Sequence, residues 1–409
     1  MMEKMLKKYA RLAVKIGVNI QENQTLIIIS PIECAPFTRM ISEAAYEEGA
    51  REVIIDWNDE ISTKIKYMYA DDEVLSTIAP WKVESLMHYV ENGAAVLSIS
   101  ASDPELMKDI PSKKISSSIK ASQLAFKEFN DRLANYKNRW SILSIPTKSW
   151  ASKVFPDLLA DKAIEKLWEE IFKLVRIDKE DPVKAWKEHI EILKSNRDFL
   201  NNQNLKSLHF NNSLGTDLYV DLPQNHLWMG GSKKSSDNIE FIANIPTEEI
   251  FTLPKRNGVN GIVYSSKPLN YSGNLIEDFS LTFENGKIIN FTAKKGYDSL
   301  KNLITTDEGS HYLGEAALVP FNSPISNSGL TFFNTLYDEN ASCHLAIGRA
   351  YNLSIKDGDK MTDEEFLEAG GNTSLIHVDF MFGTEDLEVI GVNQNGEPIQ
   401  IFKNGNWAF

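Results

Sequence analysis

A chain of 409 residues, 42% hydrophobic and 24% charged, has ordinary globular composition and more length than one core usually fills, so two domains are expected. Its formal net charge of -14, with no basic cluster, excludes nucleic acid and anionic membrane as natural partners. No apolar run reaches the length of a bilayer span, and two cysteines, Cys34 and Cys343, cannot build a disulfide framework, so a reducing cytoplasm is expected.

The first stretch, "MMEKMLKKYARLAVKIGV", reads as an amphipathic helix and not as a signal peptide, since it lacks a continuous apolar core and a small-residue cleavage site. Strands and helices then alternate. "TLIIIS" (Thr25 to Ser30) precedes a helical stretch from Ala35 to about Glu48, and "REVIIDW" (Arg51 to Trp57), "AAVLSIS" (Ala94 to Ser100) and "WSILSIPT" (Trp140 to Thr147) follow as further strands. Apolar strands spaced by helices predict a parallel sheet covered on both faces. None is followed by a glycine-rich phosphate fingerprint, so a nucleotide is not indicated. From Asp161 to about Leu200 the pattern is helical, with Ile164, Leu167, Trp168, Ile171, Leu174 and Val175 on one stripe. His189, within this region, reads as an ordinary amphipathic-helix residue.

Near residue 200 the pattern changes to short alternating runs with turn residues between them, among them "LKSLHF", "TDLYVDL", "GIVYSS" and "LTFENGKIINFTA". Asn285-Gly286 and Asn395-Gly396 are strong hairpin signals. The expected division is therefore 1–203, an α/β domain with a parallel sheet, and 204–409, a mainly-β, barrel-like domain with one or two inserted helices.

Ligand-type residues gather in the second half. "NIPTEEIFTLP" sets Glu248 and Glu249 beside an apolar run, and "HYLGEAALVP" leaves Glu315 at the mouth of a small-apolar run. "TLYDENASCHLAIGRAY" carries Asp338, Glu339, His344, Arg349 and Tyr351. If that segment is helical, His344 and Tyr351 lie two turns apart on one face. "GGNTSLIHVDFMFG" places His377 and Asp379 two residues apart, on one face of a strand. Each residue alone has an ordinary structural explanation. Together they supply carboxylates, imidazoles and a tyrosine that suit Zn, Co or Mn. More acidic ligands than one tetrahedral ion uses point to a dinuclear centre. Neither H-E-x-x-H nor G-x-S-x-G occurs, so a single-zinc protease helix and a serine hydrolase elbow are excluded. By this route the substrate stays open.

The motifs "NIPTEEIFT", "LGEAALVP", "TLYDENASCHLAIGRAY" and "GGNTSLIHVDFMFG", in that order, resemble those of the M29 metallo-aminopeptidases, the thermophilic aminopeptidase and aminopeptidase T/S group. Weaker matches such as "GTDLYVDL", "LWMGG" and "VFPDLLADKAIEKLWEEIF" extend the resemblance through both halves. The resemblance implies a homodimer of two-domain subunits, each with two divalent ions (Zn, Co, Mn or Mg). By motif position it implies Glu249, Glu315, His344, His377 and Asp379 as ligands, Tyr351 in the site and Glu339 as an additional ligand. Asp379 becomes a candidate bridge between the ions.

The implied reaction is removal of the N-terminal residue from peptides with a free amine. Two ions about 3.5–4 Å apart would activate water, Tyr351 or Arg349 would stabilise the oxyanion, and Glu315 or Glu339 would carry the proton to the leaving amine. The rivals are a metal-dependent dipeptidase or amidohydrolase, and a non-catalytic binding protein in which the metals are structural.

Overall fold

The computed structural model describes residues 2–409. By compactness the chain falls into two units, 1–192 with 231–247, and 193–230 with 248–409. This differs from a single division after residue 203, because the segment 231–247 returns to the first unit. There Asn244–Ile245 adds as a parallel edge strand beside Trp140–Leu143, and the side chain of Arg139, almost fully buried, reaches Asp237. A two-residue strand and an isolated Asp carry no periodicity that would signal this.

In the first unit, Thr25–Pro31, Glu52–Asn58, Ala95–Ile99 and Trp140–Leu143 form the expected parallel sheet with Asn244–Ile245. Leu26, Ile27 and Ile28 are fully buried in succession, as a strand covered on both faces requires. Between the strands lie helices such as Ala35–Glu47 and Pro80–Glu91, the latter with proline in its first turn, where its missing N–H costs nothing. Ala160–Leu174 buries Ala163, Leu167, Ile171 and Leu174 on one stripe. Pro182–Gln203 follows as a 22-residue helix.

The second unit is built from antiparallel sheets. The larger holds nine strands, with Leu205–Asn211 and Asp217–Asp221 near its centre and the chain's last strands at one end. Asp217–Asp221 alternates buried and exposed residues, as a sheet with one wet face demands. The Asn285-Gly286 turn forms as read, both residues having positive φ. The smaller sheet runs His377–Met381, His344–Gly348, Leu313–Leu318, Ile250–Thr252, Met229–Gly230. Both strand orders are open, and no sheet among the described residues closes, so the barrel-like closure expected here is not found.

Candidate metal centre

The smaller sheet gathers Glu315, His344, His377 and Asp379. Its register sets Glu315 opposite Ala346 and Ala346 opposite Asp379, one row across three strands. His377 stands opposite Gly348, and His344 opposite Ala317. Side chains two apart share a face, so Glu315, His344, His377 and Asp379 all project from one side, with only Ala346 and Gly348 between them. The other side carries Leu345, Ile347 and Phe380, all buried. Small residues on the polar face leave the room that carboxylates and imidazoles fill.

His344 therefore opens a strand, and the helical reading that related it to Tyr351 is not met. The run pairs on both edges, and Gly348 takes a φ of 104°, where a Cβ would stand 2.2 Å from the Ile376 carbonyl oxygen. Tyr351 still reaches the neighbourhood, its ring centroid 4.9 Å from that of His377.

Two ligand groups result, Glu249 with Glu315 and His344, and Glu315 with His377 and Asp379; the ligand atoms of each lie within 4.8 Å of one another. His344 Nε2 is 3.2 Å from Glu249 and 3.4 Å from Glu315 Oε1, while His377 Nε2 is 3.8 Å from Glu315 Oε2 and 3.2 Å from Asp379. Glu315 thus offers one oxygen to each histidine. Both rings are held from behind: His344 Nδ1 lies 2.9 Å from the Glu339 carbonyl, and His377 Nδ1 lies 2.7 Å from that of Arg349. That turns each Nε2 toward the carboxylates, the support a metal-binding imidazole would need.

Glu339 is buried, and its carboxylate accepts from Asn340 Nδ2 at 3.3 Å. It falls outside both groups by distance, yet faces Asp379 and Glu249 closely enough to feel their charge. Asn340 also receives the Glu248 backbone N–H at 2.7 Å, tying the "TEE" segment to the "DEN" segment. Its signal was present as the third letter of "DEN", but an Asn gives no hint of its partners. Arg349 enters through its main chain as the His377 acceptor. His189 is more than a helix-face residue, since its Nε2 lies 2.8 Å from the Thr247 carbonyl, two residues before Glu249.

The electrostatics ask for cations. Burial raises the Glu315 carboxyl above its ordinary range, and burial with the Asp379 and Glu249 charges raises Glu339 well above it. Burial opposes a proton on His377, but Asp379 and Glu315 outweigh it and push its pKa up to about 10. His344 goes well above its usual value as Glu249 and Glu315 overcome its burial. Asp379 is held low, because both imidazoles overcome its burial. His344 Nε2 and Asp379 Oδ1 are buried and make no hydrogen bond of proper geometry despite close neighbours. Orphaned imidazole nitrogen and carboxylate oxygen in one acidic space fit a divalent metal.

Comparison with known proteins agrees. Residues 2–407 match the family model described as thermophilic metalloprotease (M29). The chain belongs to the M29 family. Relatives include aminopeptidase 2 of Geobacillus stearothermophilus, 47% identical over 100% of this chain and 98% of its own length. Aminopeptidase AmpS of Bacillus subtilis is 45% identical, covering 99% of this chain and 98% of its own. The solved structure of wild-type AmpT from Thermus thermophilus superposes with a TM-score of 0.92 at 36% identity, over 100% of both chains.

Proposed function

We propose that this M29 chain is a metal-dependent aminopeptidase that holds two divalent ions (Zn, Co, Mn or Mg) and releases single residues from peptides with a free N-terminus. The observation that carries the reading is Glu315 facing both histidines, one carboxylate shared by two ligand groups. Charge supports the number of ions: Glu249, Glu315, Glu339 and Asp379 bring four negative charges, which two divalent cations balance. Glu249, Glu315 and His344 would hold one ion, and Glu315, His377 and Asp379 the other, with Glu339 as a further ligand. When bound, the ions would polarise the scissile carbonyl and lower the pKa of water.

The chain's own groups do the rest. The Glu339 and Arg349 carbonyls hold the two imidazoles with Nε2 forward. Glu315 or Glu339 moves the water proton to the leaving amine. Tyr351, beside His377, and the Arg349 guanidinium stabilise the developing oxyanion. A free α-amine meets an acidic side chain or a metal of the site where a capped amide does not, which is the basis of exopeptidase action. A homodimer belongs to the same reading by resemblance to the family. The free, buried cysteines fit a cytoplasmic location, and among the described residues no helix is long and apolar enough to cross a membrane.

The test uses a free peptide and its N-acetylated twin with Co- or Zn-loaded protein. Acetylation removes the amine for which the site's polar groups are arranged, and such groups left unpaired cost orders of magnitude. Sequential single-residue release from the free peptide and none from the twin is expected, with activity lost to chelator and restored by metal. Equal cleavage of both would sink the exopeptidase reading. Release confined to dipeptides would favour a dipeptidase, and no cleavage by metal-loaded protein would favour a binding protein.

A further inference from the structure

The "GGNTS" half of the His377 motif contributes no ligand to either group, yet it holds Asn372, which is fully buried. A buried carboxamide needs its donors and acceptor met, and Asn372 meets them in three directions. Its Nδ2 donates to the Gly309 carbonyl at 2.9 Å and to the Gly348 carbonyl at 2.6 Å, while its Oδ1 accepts from Arg256 Nε at 3.0 Å. Its main-chain carbonyl accepts from Ala350 N at 2.9 Å. Asn372 therefore grips the residues on both sides of Arg349.

The Arg349 carbonyl is the group that accepts from His377 Nδ1 at 2.7 Å. It is confined from a second side, since a Cβ on Gly314 would stand 2.2 Å from its oxygen. Arg256, which orients the Asn372 carboxamide, is itself fixed: its guanidinium lies 3.8 Å over the Tyr312 ring, and its main-chain N–H donates to the Gly370 carbonyl at 2.8 Å. The chain of contacts runs from Arg256 to Asn372, from Asn372 to Gly348 and Ala350 on either side of Arg349, and from the Arg349 carbonyl to His377.

We propose that Asn372 is a positioning residue for the second ligand group: by holding the Gly348 carbonyl its carboxamide sets the adjoining Arg349 carbonyl, and so the direction of His377 Nε2. The inference rests on the metal reading above and deepens it. Outer partners that orient a ligand imidazole are worth about 10–100-fold in metal affinity. The effect falls on the group containing His377, because His344 is oriented by other carbonyls, those of Glu339 and Ser342.

The experiment is zinc titration of metal-free, full-length protein by calorimetry, for wild type, Asn372→Ala, Arg256→Lys and the double variant, with melting temperatures in parallel. Wild type should take two ions. Asn372→Ala should keep one binding step unchanged and weaken the other about 10–100-fold. Arg256→Lys, which loses the Nε donor that orients the carboxamide, should weaken the same step by less, and the double variant no more than Asn372→Ala alone. Two unchanged steps in Asn372→Ala would overturn the proposal. So would equal weakening of both steps with a parallel fall in melting temperature, since Asn372 would then be an ordinary core residue. If Asn372→Ala does not fold, Arg256→Lys decides, and two unchanged steps there overturn it equally. Zinc uptake absent even from wild type would sink the metal reading itself and this inference with it.

Discussion

His377 and Asp379 stand two apart because a strand sends alternate side chains to one face, and that face meets Glu315. If both hold metal as proposed, removing either side chain should cost metal and turnover together. His377→Ala and Asp379→Asn are each expected to weaken metal binding by at least about 100-fold, the upper end of what loss of a mere supporting partner costs. Glu339→Gln should also lower occupancy; two tightly held ions with turnover lost would instead make Glu339 the proton carrier. His189→Ala loses one hydrogen bond to the Thr247 carbonyl, so it should lower stability by about 1 kcal/mol and leave metal stoichiometry intact. Elemental analysis beside steady-state rates reads all four. Wild-type occupancy in the His377 variant would refute the assignment.

Among the elements, the His344–Gly348 strand has the most exacting task. It lies between the Glu315 and His377 strands, and its polar face offers His344 and then only Ala346 and Gly348. Ala346 occupies the row between Glu315 and Asp379, so its methyl sets how closely those carboxylates approach. Ala346→Leu would push branched carbon into that space, where overpacking costs about 1–3 kcal/mol. The expected outcome is a folded protein with a lowered melting temperature and little or no bound metal, while Ala346→Gly still binds. Full metal content in Ala346→Leu would show that the row does not control the site. His344 was legible as a ligand type; that it begins a strand was not. A five-residue apolar run has no decisive periodicity, and its two pairing partners lie elsewhere in the chain.

At the scale of the whole molecule, the acidic centre links metal, protons and folding. In metal-free protein the His377 pKa of about 10 lies above its unfolded value near 6.5. A raised histidine contributes stability that is fully present below about pH 6.5 and is lost as pH rises through about 10. Metal-free protein should therefore melt lower at pH 10 than at pH 7. Metal binding has the opposite sign, because its ligands must shed protons: affinity should rise with pH and binding should release protons near pH 7. Calorimetry in two buffers of different ionisation enthalpy measures that release, and zero release would mean that the imidazoles are already neutral.

What local pattern could decide, it did. Continuous apolar runs between amphipathic helices specify the parallel sheet, because a strand buried on both faces cannot alternate. Asn285-Gly286 specifies its turn through the positive φ both residues tolerate. Motif order carried the family. The tertiary structure alone decided the rest: that residues 231–247 fold back into the first unit, that the second unit's sheets stay open, that Glu315 faces two histidines and that Asn372 reaches the Arg349 segment. Each of these is a pairing between residues distant in the chain, fixed by register and by the burial of polar groups that must find partners, and neither leaves a periodic trace in the order of amino acids.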